Sequence, residues 1–319
     1  MKKDRVEIED ELIQEYREKK HRARSRQVQR KRKLLASGMA VLFAGLFIVG
    51  RAFIKKDRNL ETQQEIGAVY MEMTDSVPER SRIAADVSSV RKEYLKKIEN
   101  LAQEDERYLE ILEMQEEFPD GVLRLCANNG EALEFVLAYP EKKGKAAAET
   151  IGEVTKGEVP LLIQWDEKWG YASYGNETIV AVNGCGPACV AMVVAALTGR
   201  NDVTPAVVAE YSAASGFLTN TNDTSWDLMN YGCEVFGISG RMIGLDENVM
   251  ANELYAGHPI IASMGPGDFT SGGHLLVISG YDGAGFEIKD PNSILKSQKT
   301  WTFEELKGQI KNLWAFQII

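Results

Sequence analysis

Between Gly184 and Gly199 the chain reads GCGPACVAMVVAALTG, a run without one charged side chain. It is apolar on every side, so it is no surface helix with a wet face, and whatever fold the chain takes must bury it as a helix. Gly199 supplies the C-terminal cap. Pro187 suits the first turn, because its missing N–H would be unpaired there anyway. Cys185 then stands at the helix N-terminus, where the helix dipole and free amides favour thiolate over thiol. Cys189, one turn further on, falls within the apolar face and reads as a small core residue. A Cys185–Cys189 disulfide along one helix is geometrically awkward. No further Cys/His cluster at ligand spacing supports a metal pair. Cys126 and Cys233 have no partner motif, and four cysteines are too few to frame a 319-residue chain with disulfides.

A second apolar run is of another kind. Residues 34–50 read LLASGMAVLFAGLFIVG without a charge, and Ala52, Phe53 and Ile54 extend the run past Arg51. A spanning helix needs about 20 apolar residues, and Arg51 near the boundary can snorkel to the headgroups. The lysines and arginines on both sides argue against a buried core helix. A 33-residue leading segment and the poor cleavage site Val49-Gly50-Arg51 argue against a cleaved signal peptide. The expectation is a retained transmembrane helix over residues 34–54, in contact with the lipid bilayer.

The net charge of −10 hides an asymmetry that agrees with this. Residues 1–58 carry 17 Lys/Arg against 8 Asp/Glu, and residues 59–319 carry 20 against 39. Residues 17–33 alone hold ten cations and one acid, whereas the outer flank offers Arg51, Lys55, Lys56 and Arg58. The positive-inside rule keeps the basic tail, residues 1–33, in the cytoplasm and exports the rest. The basic run reads as a topology signal lying against anionic headgroups, and not as a nucleic-acid-binding patch.

Residues 55–117 read as a helical stalk. Tyr94, Ile98, Leu101, Tyr108 and Leu112 recur at helical spacing in a charged background. Such a stripe suits a stalk, packing on the domain, or pairing with a second chain, which leaves oligomerisation through the stalk open. Phe118-Pro119-Asp120-Gly121 breaks the helix. Within residues 118–157, two short helical patterns follow, around 122–126 and 131–139, with a stop at Pro140 and then a connector. Residues 158–319 form the last domain.

A thiolate needs a base, and the chain has three histidines. His21 falls on the cytoplasmic side of the predicted span. His258, in Gly257-His258-Pro259, reads as a structural histidine at a strand end. His274 opens an apolar strand behind Gly272 and Gly273, whose bare backbone can lie close to another element or a substrate. The strand runs through the hairpin signal Asp282-Gly283-Ala284-Gly285 into Phe286-Glu287-Ile288-Lys289 and Asp290-Pro291. The base of a thiol–imidazole pair needs a third group to orient its ring. A two-residue loop at Gly283-Ala284 would turn Asp290 to the face opposite His274. A longer loop, or a bulge at a glycine, makes the two diagonal neighbours on one face. Asn292 is the substitute if the register falls the other way. Acyl transfer also needs donors aimed at the developing oxyanion. The backbone N–H of Cys185 is one; Gln164, in Gln164-Trp165-Asp166-Glu167-Lys168-Trp169-Gly170, assigns nothing when taken alone.

In order, the segment 164–170, Gly184-Cys185-Gly186-Pro187 with Ala191-Met192, Gly272-Gly273-His274 and Asp290-Pro291 resemble the C39-like peptidases of the papain superfamily. The resemblance covers about residues 158–319. The stretch Phe135-Val136-Leu137-Ala138-Tyr139-Pro140 and the short helices around 120–140 also look like the segment that often precedes this domain. The resemblance implies a papain-like α+β fold: a helical part carrying Cys185 and an antiparallel sheet carrying His274 and Asp290, here preceded by the transmembrane helix and stalk. It implies Cys185, His274 and Asp290 as the catalytic set and Gln164 as oxyanion donor. It also implies hydrolysis of a peptide or protein substrate through a thioester, without metal or organic cofactor. Residues 158–319 carry 8 Lys/Arg against 18 Asp/Glu, a field that favours cationic peptides. The chain lacks the ABC-transporter parts of bacteriocin-processing relatives, so double-glycine leader cleavage is not carried over. Its interval from Gln164 to Cys185 also exceeds that of papain-type enzymes. Together these readings give a single-pass protein of a Gram-positive cell membrane, N-terminus in the cytoplasm and catalytic domain outside. The rival readings are a catalytically silent papain-like binding domain, and a cysteine amidase or acyltransferase acting on cell-wall or other non-protein amides.

Overall fold

The structure, a computed structural model, describes residues 79–319, with side chains from residue 89 onward. Ser88–Ile319 forms one compact unit. The expected membrane helix over residues 34–54 lies outside the described residues. Among the described residues, no helix is long and apolar enough to cross a membrane.

Helix α1 (Glu79–Leu101) carries the first part of the apolar stripe. Ile98 is fully buried, with Tyr94, Leu95 and Leu101 beside it, in a cluster shared with α2 (Tyr108–Glu113) and α3 (Asp120–Asn128). The stripe is therefore used for packing within this unit. It is not one continuous helix. Asp105 accepts the backbone N–H of Arg107 at 3.1 Å and also its guanidinium, which stops α1 and restarts the chain as α2. Arg91 holds the next break in place, donating to the carbonyls of Gln115 and Phe118 and pairing with Asp120. After α3 come α4 (Leu133–Leu137) and α5 (Tyr139–Lys142). Pro140, expected to stop a helix, instead sits in the first turn of α5, where a missing N–H costs nothing. A Cβ on Gly170 would stand 2.6 Å from the Phe135 ring, and that ring stacks on Tyr171 with centroids 4.2 Å apart. These helices thus share one core with the start of the domain, through Tyr171 and Ala181.

The short α6 (Val180–Asn183) leads into α7 (Cys185–Thr198), the apolar run. Every residue from Gly186 to Ala196 is buried, and Gly199 ends the helix in the left-handed conformation at φ 76°. Beside it lies α8 (Pro205–Ser215), capped by Thr204, whose hydroxyl accepts from the Val207 N–H; α9 (Asp227–Asn230) follows. The six strands are β1 (Ile238–Met242), β2 (Ile260–Met264), β3 (His274–Tyr281), β4 (Phe286–Lys289), β5 (Thr300–Trp301) and β6 (Ile310–Ile318). They form one sheet in the order β1-β6-β2-β3-β4-β5, antiparallel throughout. Helices α10 (Glu247–Tyr255), α11 (Ile294–Ser297) and α12 (Phe303–Lys307) connect the strands. One sheet face, through Ile261, Leu275, Val277, Trp314 and Phe316, packs on α7. The other, through Ile260, Leu276, Ile278 and Ile288, is covered by Met250 of α10 and Leu306 of α12. Because both faces are covered, all five residues of β2 are buried, and its sequence IIASM shows no polar alternation. The class is α+β, a helical part and an antiparallel sheet, as expected.

Met192 sits at the middle of α7 and is fully buried. Met192→Ala should lower the unfolding free energy by about 2–5 kcal/mol, the cost of a buried methionine truncated to alanine. A urea titration reads this as a lower midpoint at unchanged slope. An unchanged midpoint would mean that α7 is not the packed centre of the unit.

Candidate active site

Cys185 is the first residue of α7, and glycines flank it for separate steric reasons. A Cβ on Gly184 would lie 2.4 Å from the Val180 carbonyl oxygen, and one on Gly186 would lie 2.5 Å from the Thr224 hydroxyl. The turn from α6 and the Thr224 segment are both drawn tightly against the start of α7. All four cysteines are free; Cys126, Cys189 and Cys233 are buried and only Cys185 is partly exposed. Burial pushes the Cys126 thiol up to about 12, and those of Cys189 and Cys233 well above the ordinary thiol range.

His274 begins β3, and the hairpin register decides what it meets. Beside the turn, Tyr281 pairs with Phe286 and Gly280 with Glu287. The register then slips by one residue at Ser279, so that Ile278 pairs with Ile288 and Val277 with Lys289. The ladder ends at that pair, and Asp290 follows Lys289 beyond the last paired residues, at the end of the hairpin where β3 starts with His274. There the two side chains meet, with His274 Nε2 2.7 Å from Asp290 Oδ1. Both are withdrawn from water, the side chains being 8% and 1% exposed.

Asn292 does not take that place. Its backbone N–H donates to Asp290 Oδ1 at 2.8 Å, while the Asp290 N–H donates to the Ser297 hydroxyl at 2.8 Å. With Nε2 of His274 engaged by Asp290, the other ring nitrogen is left for the Cys185 thiol, which lies near enough to act on the ring. Burial by itself would depress the imidazole pKa. The charge and hydrogen bond of Asp290, joined by those of Cys185, reverse this and hold it well above that of free histidine.

A Cβ on Gly272 or Gly273 would meet nothing within 4 Å, so no other element of the protein packs there, which leaves the alternative of a substrate. The two glycines leave the approach to His274 uncrowded. His258 bonds Glu253 through Nδ1 at 2.9 Å. It precedes Ile260, which pairs with Ile278, whereas Met264 at the other end of β2 pairs with His274. His258 thus lies at the opposite end of the sheet from the pair, in the structural role expected of it. Among the described residues, no group of three His, Cys, Asp or Glu side chains is placed to hold a metal ion. A surface hollow of about 340 Å³, lined by Tyr139, Lys143, Tyr171 and Glu177, does not include Cys185 or His274.

Gln164 is buried and bridges two parts of the site. Its backbone N–H donates to the Pro291 carbonyl at 2.7 Å, and its side-chain Nε2 donates to the Ala181 carbonyl at 2.8 Å. It ties the residue after Asp290 to α6, the helix that precedes Cys185. Trp165 adds an indole N–H to the Asn292 carbonyl at 3.3 Å. Two residues escaped the sequence reading. Asn129 donates to the Asn292 carbonyl at 2.7 Å, and Glu131 accepts from the Ile294 N–H at 2.8 Å, the Leu295 N–H at 3.1 Å and the Ser293 hydroxyl. Their one signal was a position in the short-helix segment that accompanies the domain.

Residues 156–317 match the family described as "Peptidase_C39 like family". Among curated proteins none matches the chain. A solved structure of a candidate C39-like peptidase from Bacillus anthracis aligns with 51% of this chain and 96% of its own, at 14% identity and a TM-score of 0.29. That likeness is too weak to add to the family match. With half of its length matched, and with the thiol, imidazole and carboxylate of the matched segment brought together, the chain belongs to the C39-like peptidase family.

Proposed function

We propose that the protein is a membrane-anchored extracytoplasmic cysteine peptidase in which Cys185, His274, Asp290 and Gln164 carry the reaction. The observation that carries this reading is the His274 imidazole held between the Asp290 carboxylate and the Cys185 thiol, at the N-terminus of α7. The raised basicity of His274 favours transfer of the thiol proton to the ring, and the helix dipole favours the thiolate left behind. The thiolate attacks the scissile carbonyl carbon. The resulting oxyanion takes hydrogen bonds from the Cys185 backbone N–H and the second N–H of the Gln164 carboxamide, the first being held by Ala181. The C–N bond breaks as the imidazolium gives its proton to the leaving amine, so that a thioester and neutral His274 remain. Water, giving a proton to His274, attacks the thioester, releases the acid and restores the thiolate–imidazolium pair.

Peptide-bond hydrolysis is supported by the family match. The exported setting is supported by the apolar run at 34–54 with its basic flank, and the net −10 of residues 158–319 supports a cationic substrate, with a preference that weakens as salt rises.

Native protein treated with iodoacetamide should be labelled at Cys185, while Cys126, Cys189 and Cys233 react only after denaturation. A native Cys185 that stays unlabelled overturns the proposal. A peptide-library digest should show cleavage that Cys185→Ala abolishes. Cleavage by neither protein would point to a binding domain, and capture of an added amine in place of water would point to an acyltransferase.

The raised pKa of His274 also sets the pH range. Loss of the imidazolium limits activity on the alkaline side, and the Asp290 charge pushes that limit upward. Asp290→Asn should therefore move the alkaline limb of the activity profile to lower pH and reduce turnover by roughly 10²–10⁴, the usual contribution of general acid–base catalysis. An unmoved alkaline limb would remove Asp290 from the mechanism.

A further inference from the structure

We propose that Glu131, assisted by Asn129, is a positioning residue for the catalytic pair, so that the helical segment ahead of the peptidase domain clamps the loop bearing Asp290. This rests on the peptidase reading above and extends it to residues outside the family match. Strand β4 ends at Lys289, so Asp290 is carried by the loop into α11 and not by the sheet. A loop carboxylate is only as fixed as its loop, and α11 has four residues, too few to hold themselves helical.

Beside the local bonds to Ser297 and the Gln164 bond to Pro291, part of what holds this loop comes from further upstream in the chain. The two carboxylate oxygens of Glu131 receive the Ser293 hydroxyl and the backbone N–H groups of Ile294 and Leu295, which occupies the free donors of the first turn of α11. Asn129 Nδ2 donates to the Asn292 carbonyl at 2.7 Å and to its side-chain oxygen at 3.1 Å. Glu131 is itself held, since its backbone N–H donates to Asn129 Oδ1 at 3.0 Å and the next residues, Ala132 and Leu133, are buried in the helical core.

The chain of contacts ends on the reacting groups. Asn292, fixed by Asn129, donates its backbone N–H to Asp290 Oδ1, the same oxygen that meets His274 Nε2. Releasing the loop would let Asp290 drift, and a misplacement of about 1 Å far from the chemistry can cost on the order of 10²-fold. The ionisable groups facing the pair are Cys185 itself, with Cys189 and Tyr174, both kept neutral by burial. Glu131 itself is not among the charges that act on the imidazole, so a change in the titration of the pair on altering Glu131 reports the position of Asp290.

The test uses the full-length protein and follows iodoacetamide alkylation of Cys185 against pH, resolved by peptide mass mapping, together with thermal unfolding. An imidazolium no longer held in place by Asp290 sits less squarely against the sulfur, so the thiolate forms only at higher pH. Glu131→Ala should therefore shift the onset of alkylation upward, in the direction of Asp290→Asn. On the acid limb the rate should fall by about tenfold, the effect of a shift of about one pKa unit. Glu131→Gln, which keeps one acceptor oxygen, and Asn129→Ala, which removes only the Asn292 contacts, should shift it less. If Asp290→Asn shifts the profile while the Glu131 and Asn129 variants keep the wild-type one, the clamp is refuted and the peptidase reading stands. If Asp290→Asn itself leaves the profile unmoved, the His274–Asp290 reading falls and the clamp with it. Should Glu131→Ala fail to fold, Glu131→Gln and Asn129→Ala decide by the same criterion.

Discussion

The 2.7 Å contact between His274 and Asp290 takes an ionisable pair almost wholly out of water, and the surrounding architecture makes that tolerable. Withdrawing such groups from solvent costs several kcal/mol each unless they are paired and hydrogen-bonded in good geometry. Asp290 Oδ1 meets the condition with two donors, the imidazole and the Asn292 N–H, although Oδ2 has no hydrogen-bond partner. The pair is exacting about position. A carboxylate displaced from the ring would be a buried, unpaired charge, and the loop that bears it is tied down from several directions.

Three parts of the unit supply those ties, each by a different physical means. Helix α7 presents Cys185 at its N-terminus, and its complete enclosure leaves it no freedom to tilt. The β3–β4 hairpin brings His274 and Asp290 to its open end, where the loop after β4 begins. The upstream helices hold the far side of the Asp290 loop by hydrogen bonds, while Phe135 and Tyr171 join their core to that of the domain. Gln164 links the second and first parts, bonding Pro291 with its backbone and Ala181 with its side chain. The segment ahead of the matched residues 156–317 is thus structurally continuous with the site.

Local chemistry was well written in the amino-acid order. The charge-free run with Gly199 behind it specified a buried helix and its end, and Gly-Cys-Gly-Pro specified its start. The turn Asp282-Gly283-Ala284-Gly285 specified a hairpin, and His258 at a strand end was correctly set aside. Where the reading went astray or stayed open, a local rule had more than one solution. Pro140 can end a helix or open one, and here it opens α5 because the chain restarts after Ala138. Gly272 and Gly273 can admit another element or a substrate, and no other element takes that place.

By itself, then, the sequence determined the elements and the chemical groups: a buried helix led by a cysteine, a strand led by a histidine, and a hairpin ending in an aspartate. These follow from hydrophobic period, caps and turn residues, all of which act over a few neighbouring positions. The choice between Asp290 and Asn292 was left to the tertiary structure. In a strand a shift of one residue turns every side chain to the other face, and the slip at Ser279 appears only in the pairing of the two strands, not in the local pattern. The roles of Asn129 and Glu131 were likewise decided only there, because their bonds span more than 160 positions and leave no local pattern to read.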